Sequence, residues 1–140
     1  TYAYSDTEYY VGHPTDESKG LPPGGTVVNA ARQDGDGRSW LRFLIYGPAV
    51  HPVIQYGDQT LELSSTIPPG VIVEVSSYPW ARRVVDSNNV NRRMEVVGDT
   101  LYLDQISFEE FTEMDVSWTC TGGDADTALL MLWREAYNVI

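Results

Sequence analysis

Carboxylates are the most numerous groups in this chain that could do chemistry, with 20 Asp and Glu among 140 residues. Asp34-Gly35-Asp36-Gly37 resembles the opening of a calcium loop, because a hard cation wants several oxygens converging from a tight turn. The rest of such a loop is missing: no third Asp or Asn precedes a glycine and no glutamate closes it, so a solvated hairpin turn is the favoured reading. Asp124 and Asp126 around Ala125 are read the same way. Glu109, Glu110, Glu113 and Asp115 form the densest acidic cluster, and a pair of carboxylates is what glycoside hydrolysis needs. Neighbouring acids on a turn normally point into water, whereas a working acid needs burial to raise its pKa. Bases and nucleophiles are scarce. His13 and His51 each precede proline, and no nucleophile-elbow, zinc-protease or phosphate-loop pattern occurs. Two histidines and the single Cys120 make a poor zinc set. No enzyme, metal site or cofactor is therefore expected.

The aromatic residues carry more information. Trp40, Trp80, Trp118, Trp133 and nine tyrosines are material for protein interfaces or for stacking on sugars. Trp118 shares an apolar alternation with its neighbours and is expected in the core. Tyr78-Pro79-Trp80 has no such alternation and is followed by Arg82 and Arg83. An exposed Tyr/Trp/Arg set is typical of binding surfaces, so Tyr78, Trp80, Arg82 and Arg83 are the candidate partner- or ligand-binding residues. The competing reading is a hydrophobic plug at one end of the fold. Successive strand residues face opposite sides, so one of the two arginines is expected to face a given partner. As edge-strand charges, the pair would instead discourage unwanted strand pairing.

The elements that must position these groups read as strands. From Thr26 onward the chain alternates with period two rather than 3.6. Met114, Val116, Trp118 and Cys120 fall on one face and Asp115, Ser117 and Thr119 on the other, the pattern of a strand that covers a core on one side. Leu41, Phe43 and Ile45 repeat it, as do Leu61 and Leu63 around Glu62, and Val71, Val73 and Val75 around Glu74. Thr127 to Trp133 is apolar on both faces, which suits a central strand, although its Ala-Leu-Leu-Met-Leu run could be helix on propensity alone. Ser107 to Glu113 has helical character over no more than a turn. Asp34 to Gly37 fits a hairpin loop, and Ile67-Pro68-Pro69-Gly70 fits a type II turn. Short strands at regular spacing predict an antiparallel β-sandwich, all-β with little helix. Residues 1–25, with Tyr2, Tyr4, Tyr9 and Tyr10 among acids and then Gly/Pro breaks, read as an irregular arm or linker before a domain over 26–140.

The formal charge of −11, with a single lysine at Lys19, argues against duplex nucleic acid and anionic membranes as partners, because both demand neutralising Lys and Arg. Apolar stretches such as Leu129 to Trp133 are far shorter than the about 20 residues a membrane helix needs. No signal-peptide pattern opens the chain at Thr1.

Several stretches, taken in order, resemble a known family: Gly47-Pro48 to Pro52-Val53-Ile54, Leu61-Glu62-Leu63, Ile67-Pro68-Pro69-Gly70-Val71-Ile72-Val73-Glu74-Val75, Arg82-Arg83-Val84-Val85-Asp86 with Asn91-Arg92-Arg93, and Leu132-Trp133-Arg134-Glu135-Ala136-Tyr137-Asn138-Val139-Ile140. Together they resemble the C-terminal domain of siphophage distal tail proteins, called minor tail proteins in phages of actinobacteria. The likeness covers roughly residues 26–140 and departs from the family at Phe108 to Glu113, where a Pro-Gly-Asn loop usually stands. It implies a jelly-roll β-sandwich similar to carbohydrate-binding modules, without catalytic residues. It also implies a place in the virion among other tail proteins, homo-oligomerisation and contact with the host surface. The alternative is a carbohydrate-binding module that recognises cell-wall glycans.

Overall fold

The structure is a computed structural model that describes residues 2–12, 28–33, 39–78, 81–98, 107–108 and 112–138. The strands, in chain order, are β1 (Tyr2–Gly12), β2 (Val28–Gln33), β3 (Ser39–Tyr46), β4 (Ala49–Tyr56), β5 (Gln59–Leu63), β6 (Thr66–Ile67), β7 (Ile72–Ser76), β8 (Arg83–Asp86), β9 (Val96–Val97), β10 (Ser107–Phe108), β11 (Thr112–Thr121) and β12 (Ala128–Asn138). One 3₁₀ turn, Arg93–Glu95, precedes β9.

The strands form two antiparallel sheets. The first runs β1-β12-β3-β7-β8, with β10 beside the start of β3; the second runs β2-β11-β4-β5-β9, with β6 beside β4. The first strand pairs with the last in one sheet, and β2 pairs with β11 in the other. Next inward, β3 lies beside β12 and β4 beside β11. A long antiparallel ribbon rolled over itself gives this order, and it is the jelly-roll sandwich.

Period-two alternation explains which faces meet. Leu41, Phe43 and Ile45 of β3 are fully buried, as are Leu61 and Leu63 of β5, Val73 of β7, Val116 of β11 and Leu129 and Met131 of β12. Phe43 from the first sheet and Tyr56 from the second meet with ring centroids 5.4 Å apart and tilted by 56°. Trp118 and Cys120 lie in this core, as their alternation predicts. Gly70 has φ +78° and Val71 N–H donates to Pro68 O at 3.2 Å, the closure expected of a type II turn.

One strand breaks the period. Thr119 pairs with Val53 but Thr121 pairs with Val50, so His51 and Pro52 together oppose Cys120 in a β-bulge. The extra residue, His51, takes φ 52°. The bulge also accommodates Pro52, which has no N–H for the ladder, inside a central strand.

Three expectations are corrected. Residues 2–12 are a strand paired along its length with β12, not an irregular arm. The interleaved tyrosines favour β structure, but the ladder partner is the far end of the chain. Asp34 to Gly37 lies outside the described residues, and the strands on either side of it, β2 and β3, belong to different sheets and do not pair as a hairpin. Turn residues permit a reversal without specifying which sheet the chain re-enters. Finally, the two ends of the stretch read as a turn of helix are strand, Ser107–Phe108 and the start of β11 at Thr112, while residues 109–111 lie outside the described residues.

Candidate functional site

The first sheet turns its second face outward, and on that face Arg42, Glu74 and Arg83 hold one another in place. Register puts Arg42 of β3 opposite Ser76 of β7 and Ser76 opposite Arg83 of β8; one step along, Leu44 lies opposite Glu74 and Glu74 opposite Val85. Glu74 therefore sits between two arginines on flanking strands. Its carboxylate accepts from Arg42 Nη2 at 2.8 Å and from Arg83 Nε at 2.8 Å, with only 13% of its side chain exposed. Burial works to raise its pKa, but the hydrogen bonds from Arg83 and Arg42 outweigh burial and hold it below the ordinary value.

At the end of β8 a second cluster fixes the following loop. Asp86 accepts from the backbone N–H of Asn88 at 2.8 Å and of Val90 at 3.0 Å, and from Arg92 Nε at 2.8 Å. Arg92 in turn donates to Glu95 at 3.1 Å. Asn89 takes φ 64°, a conformation asparagine tolerates. The loop then returns along the strand: Asp86 N–H donates to Val90 O, Arg92 N–H to Val84 O, and Asn91 bridges Val85. The edge of β8 is thereby covered. The Val90 hydrogen bond, followed by those from Arg92 and Asn88, lowers the pKa of Asp86 against the effect of burial.

Both carboxylates bind protons less readily folded than unfolded, so the stability they contribute is complete at neutral pH. It is lost as the pH falls below about 4 and through their depressed folded values. In urea denaturation Asp86→Asn is expected to be less stable than wild type at pH 7, with the difference shrinking towards pH 2.5; a gap that stays constant with pH would contradict this role.

Three depressions adjoin on this side of the molecule. The largest, about 370 Å³, is lined by Arg82, Arg83, Val84, Val85, Asn91 and Arg93. A second of about 240 Å³ shares Val85 and extends across Glu74 to Ile72. A third of about 220 Å³ shares Ile72 and reaches Tyr46 and Asp126. The largest presents guanidinium groups on a strongly acidic chain, and among the described residues that line it there is no carboxylate. Such an arrangement can bind and orient an anion.

The four residues singled out from sequence are placed unequally. Tyr78 is 8% exposed and belongs with the buried residues, which fits the plug reading and not a binding platform. Trp80 lies outside the described residues. Arg82 stacks over Trp40, its guanidinium carbon 5.0 Å from the ring centroid, and Arg82 Nε donates to Ser77 O at 3.3 Å. Arg83 is half-exposed and held by Glu74. The two arginines line one depression, although alternation was expected to separate them. Arg82 precedes β8, which begins at Arg83, and alternation holds only inside a strand. Sequence reasoning missed Trp40, Glu74 and Asp86. Outward positions for Glu74 and Arg42 were readable from the period, but not that β3 and β7 are neighbours.

The other candidates are scattered. Asp124 and Asp126 form a tight exposed turn, with Asp126 N–H donating to Asp124 Oδ1 at 2.8 Å and Asp124 N–H to Thr127 Oγ1 at 2.9 Å. His51 is exposed on the second sheet, where its Nε2 meets Glu62 at 2.5 Å. Glu113 and Asp115 lie on β11, while Asp34, Asp36, Glu109, Glu110 and His13 lie outside the described residues. Among the described residues no group of three or more His, Cys, Asp or Glu is placed to hold a metal ion. No family model matches the chain, and no match was found among the curated proteins or the solved structures.

Proposed function

We propose that this domain is a non-catalytic structural component of a siphophage tail tip, working in assembly against neighbouring tail proteins and in contact with the host surface. The observation that carries the reading is the outer face of the first sheet. Cross-strand ion pairs through Glu74 and the Asp86 cluster hold a rigid surface on which half-exposed Leu44, Ile72 and Val85 lie beside arginines. Apolar contacts among arginines with a polar surround are characteristic of protein interfaces. The jelly-roll order is the fold the family resemblance implies; it serves capsid and lectin domains alike, so the fold by itself does not choose a function. A carbohydrate-binding module remains the second reading, weakened because Tyr78, one of its two stacking candidates, is buried.

The test is immunogold electron microscopy with antibodies to the purified domain, applied to particles from lysates of cells that carry its gene. Gold at tail tips is the expected result. Tailed particles that stay unlabelled would overturn the assignment, and saturable glycan binding abolished by Trp80→Ala would favour the second reading.

A further inference from the structure

We infer that the depression lined by Arg82, Arg83 and Arg93 is a carboxylate-binding pocket for an acidic segment of a partner protein. The inference deepens the assembly reading and takes from it only that the partner is a protein.

The two leading arginines are oriented before anything binds. Arg82 lies over the Trp40 ring and commits Nε to Ser77 O; Arg83 commits Nε to Glu74 Oε1. Neither has a further partner among the described residues, so the Nη edges of both guanidiniums remain to engage an incoming oxyanion. Those edges match a carboxylate bidentately. Holding the planes in advance removes part of the ordering cost of binding, and stacking on an aromatic ring fixes Arg82 without neutralising it.

The surroundings narrow the occupant. At about 370 Å³ the depression takes a side chain and adjoining backbone rather than a folded surface. Val85, half-buried on the outward face of β8, supplies an apolar wall, which suits a peptide that carries apolar residues beside its acids. Main-chain pairing is not available, because the returning loop already occupies the edge of β8 through the Arg92 to Val84 and Asp86 to Val90 bonds. Recognition is therefore through side chains. The charge of −11 repels densely charged polyanions at a distance, whereas a segment with a few carboxylates can approach and be held at short range.

The full chain should be titrated with a dye-labelled octapeptide of alternating Glu and Leu, read by fluorescence anisotropy. Its Gln/Leu counterpart, a galacturonate oligomer of equal charge and inorganic phosphate serve as parallel probes. Saturable binding of the Glu/Leu peptide is expected, weakening as salt is raised and falling roughly tenfold or more in Arg82→Gln and in Arg83→Gln. Arg82→Lys, which keeps the charge and loses the fork, should fall between. Circular dichroism establishes that the variants are folded, as the exposure of both side chains leads one to expect. Absence of peptide binding, equal binding of the Gln/Leu peptide, or unchanged affinity in folded variants would overturn the pocket. Tighter binding of the galacturonate oligomer would overturn the choice of a protein partner. None of these results depends on where antibodies label a virion, so the pocket and the tail-tip assignment fail separately.

Discussion

Replacing Trp118 with alanine is expected to destabilise the domain by roughly 3–5 kcal/mol. The indole is 1% exposed and is among the largest fully buried side chains. It projects from β11 opposite Ile54 of β4 into the space between the sheets. Truncation would lose the transfer free energy of the ring and leave a cavity that two hydrogen-bonded sheets can close only in part. Since single domains have about 5–15 kcal/mol of net stability, the variant is expected to be marginal. Urea or guanidinium denaturation measures the loss. If Trp118→Ala does not accumulate as folded protein, Trp118→Phe should fold with a smaller deficit. A loss below about 1 kcal/mol for the alanine variant would mean that the site is less tightly packed than its burial indicates.

Gly47→Ala is expected to cost about 2–3 kcal/mol through overpacking. Gly47 stands between β3 and β4, and its N–H donates to Val71 O at 2.9 Å. A Cβ there would run into the Pro68 carbonyl oxygen, with Ile67 Cγ2 at 2.9 Å and Ile67 O at 3.0 Å. Two of these three are backbone atoms of the turn that leads to β7, so relief requires that turn to move. The same displacement would distort the third depression, which Gly47, Gly70 and Ile72 line. Gly70→Ala is the control: its Cβ meets nothing within 4 Å, and only the left-handed φ of +78° opposes it. That strain costs about 1–2 kcal/mol. Thermal and denaturant unfolding of the pair should rank Gly47→Ala as the more damaging; the reverse order would show that the turn yields easily.

Much of the interior was legible because strand alternation is a local property. Leu41, Phe43 and Ile45, or Val116, Trp118 and Cys120, report their buried face from spacing alone. The Pro68-Pro69-Gly70 turn was equally readable, since proline and glycine constrain φ wherever they occur. Part of the candidate site was visible too: Arg82 and Arg83 do line a depression. Tyr78 shows the limit, for the absence of alternation around it left an exposed binding set and an end plug both open, while its burial depends on what covers the end of the sandwich.

By itself, then, the sequence determined an all-β sandwich, its inward-facing residues, its tight turn and its acidic character, all of which follow from residue type and spacing within a few positions. The tertiary structure alone decided that Tyr2–Gly12 is a strand against β12, that β2 and β3 belong to different sheets, and that Arg42, Glu74 and Arg83 meet in one row. In each case the deciding partner is a strand outside the local sequence pattern. A strand's hydrogen bonds and cross-strand neighbours belong to whichever strand lies alongside, and no local period specifies that neighbour.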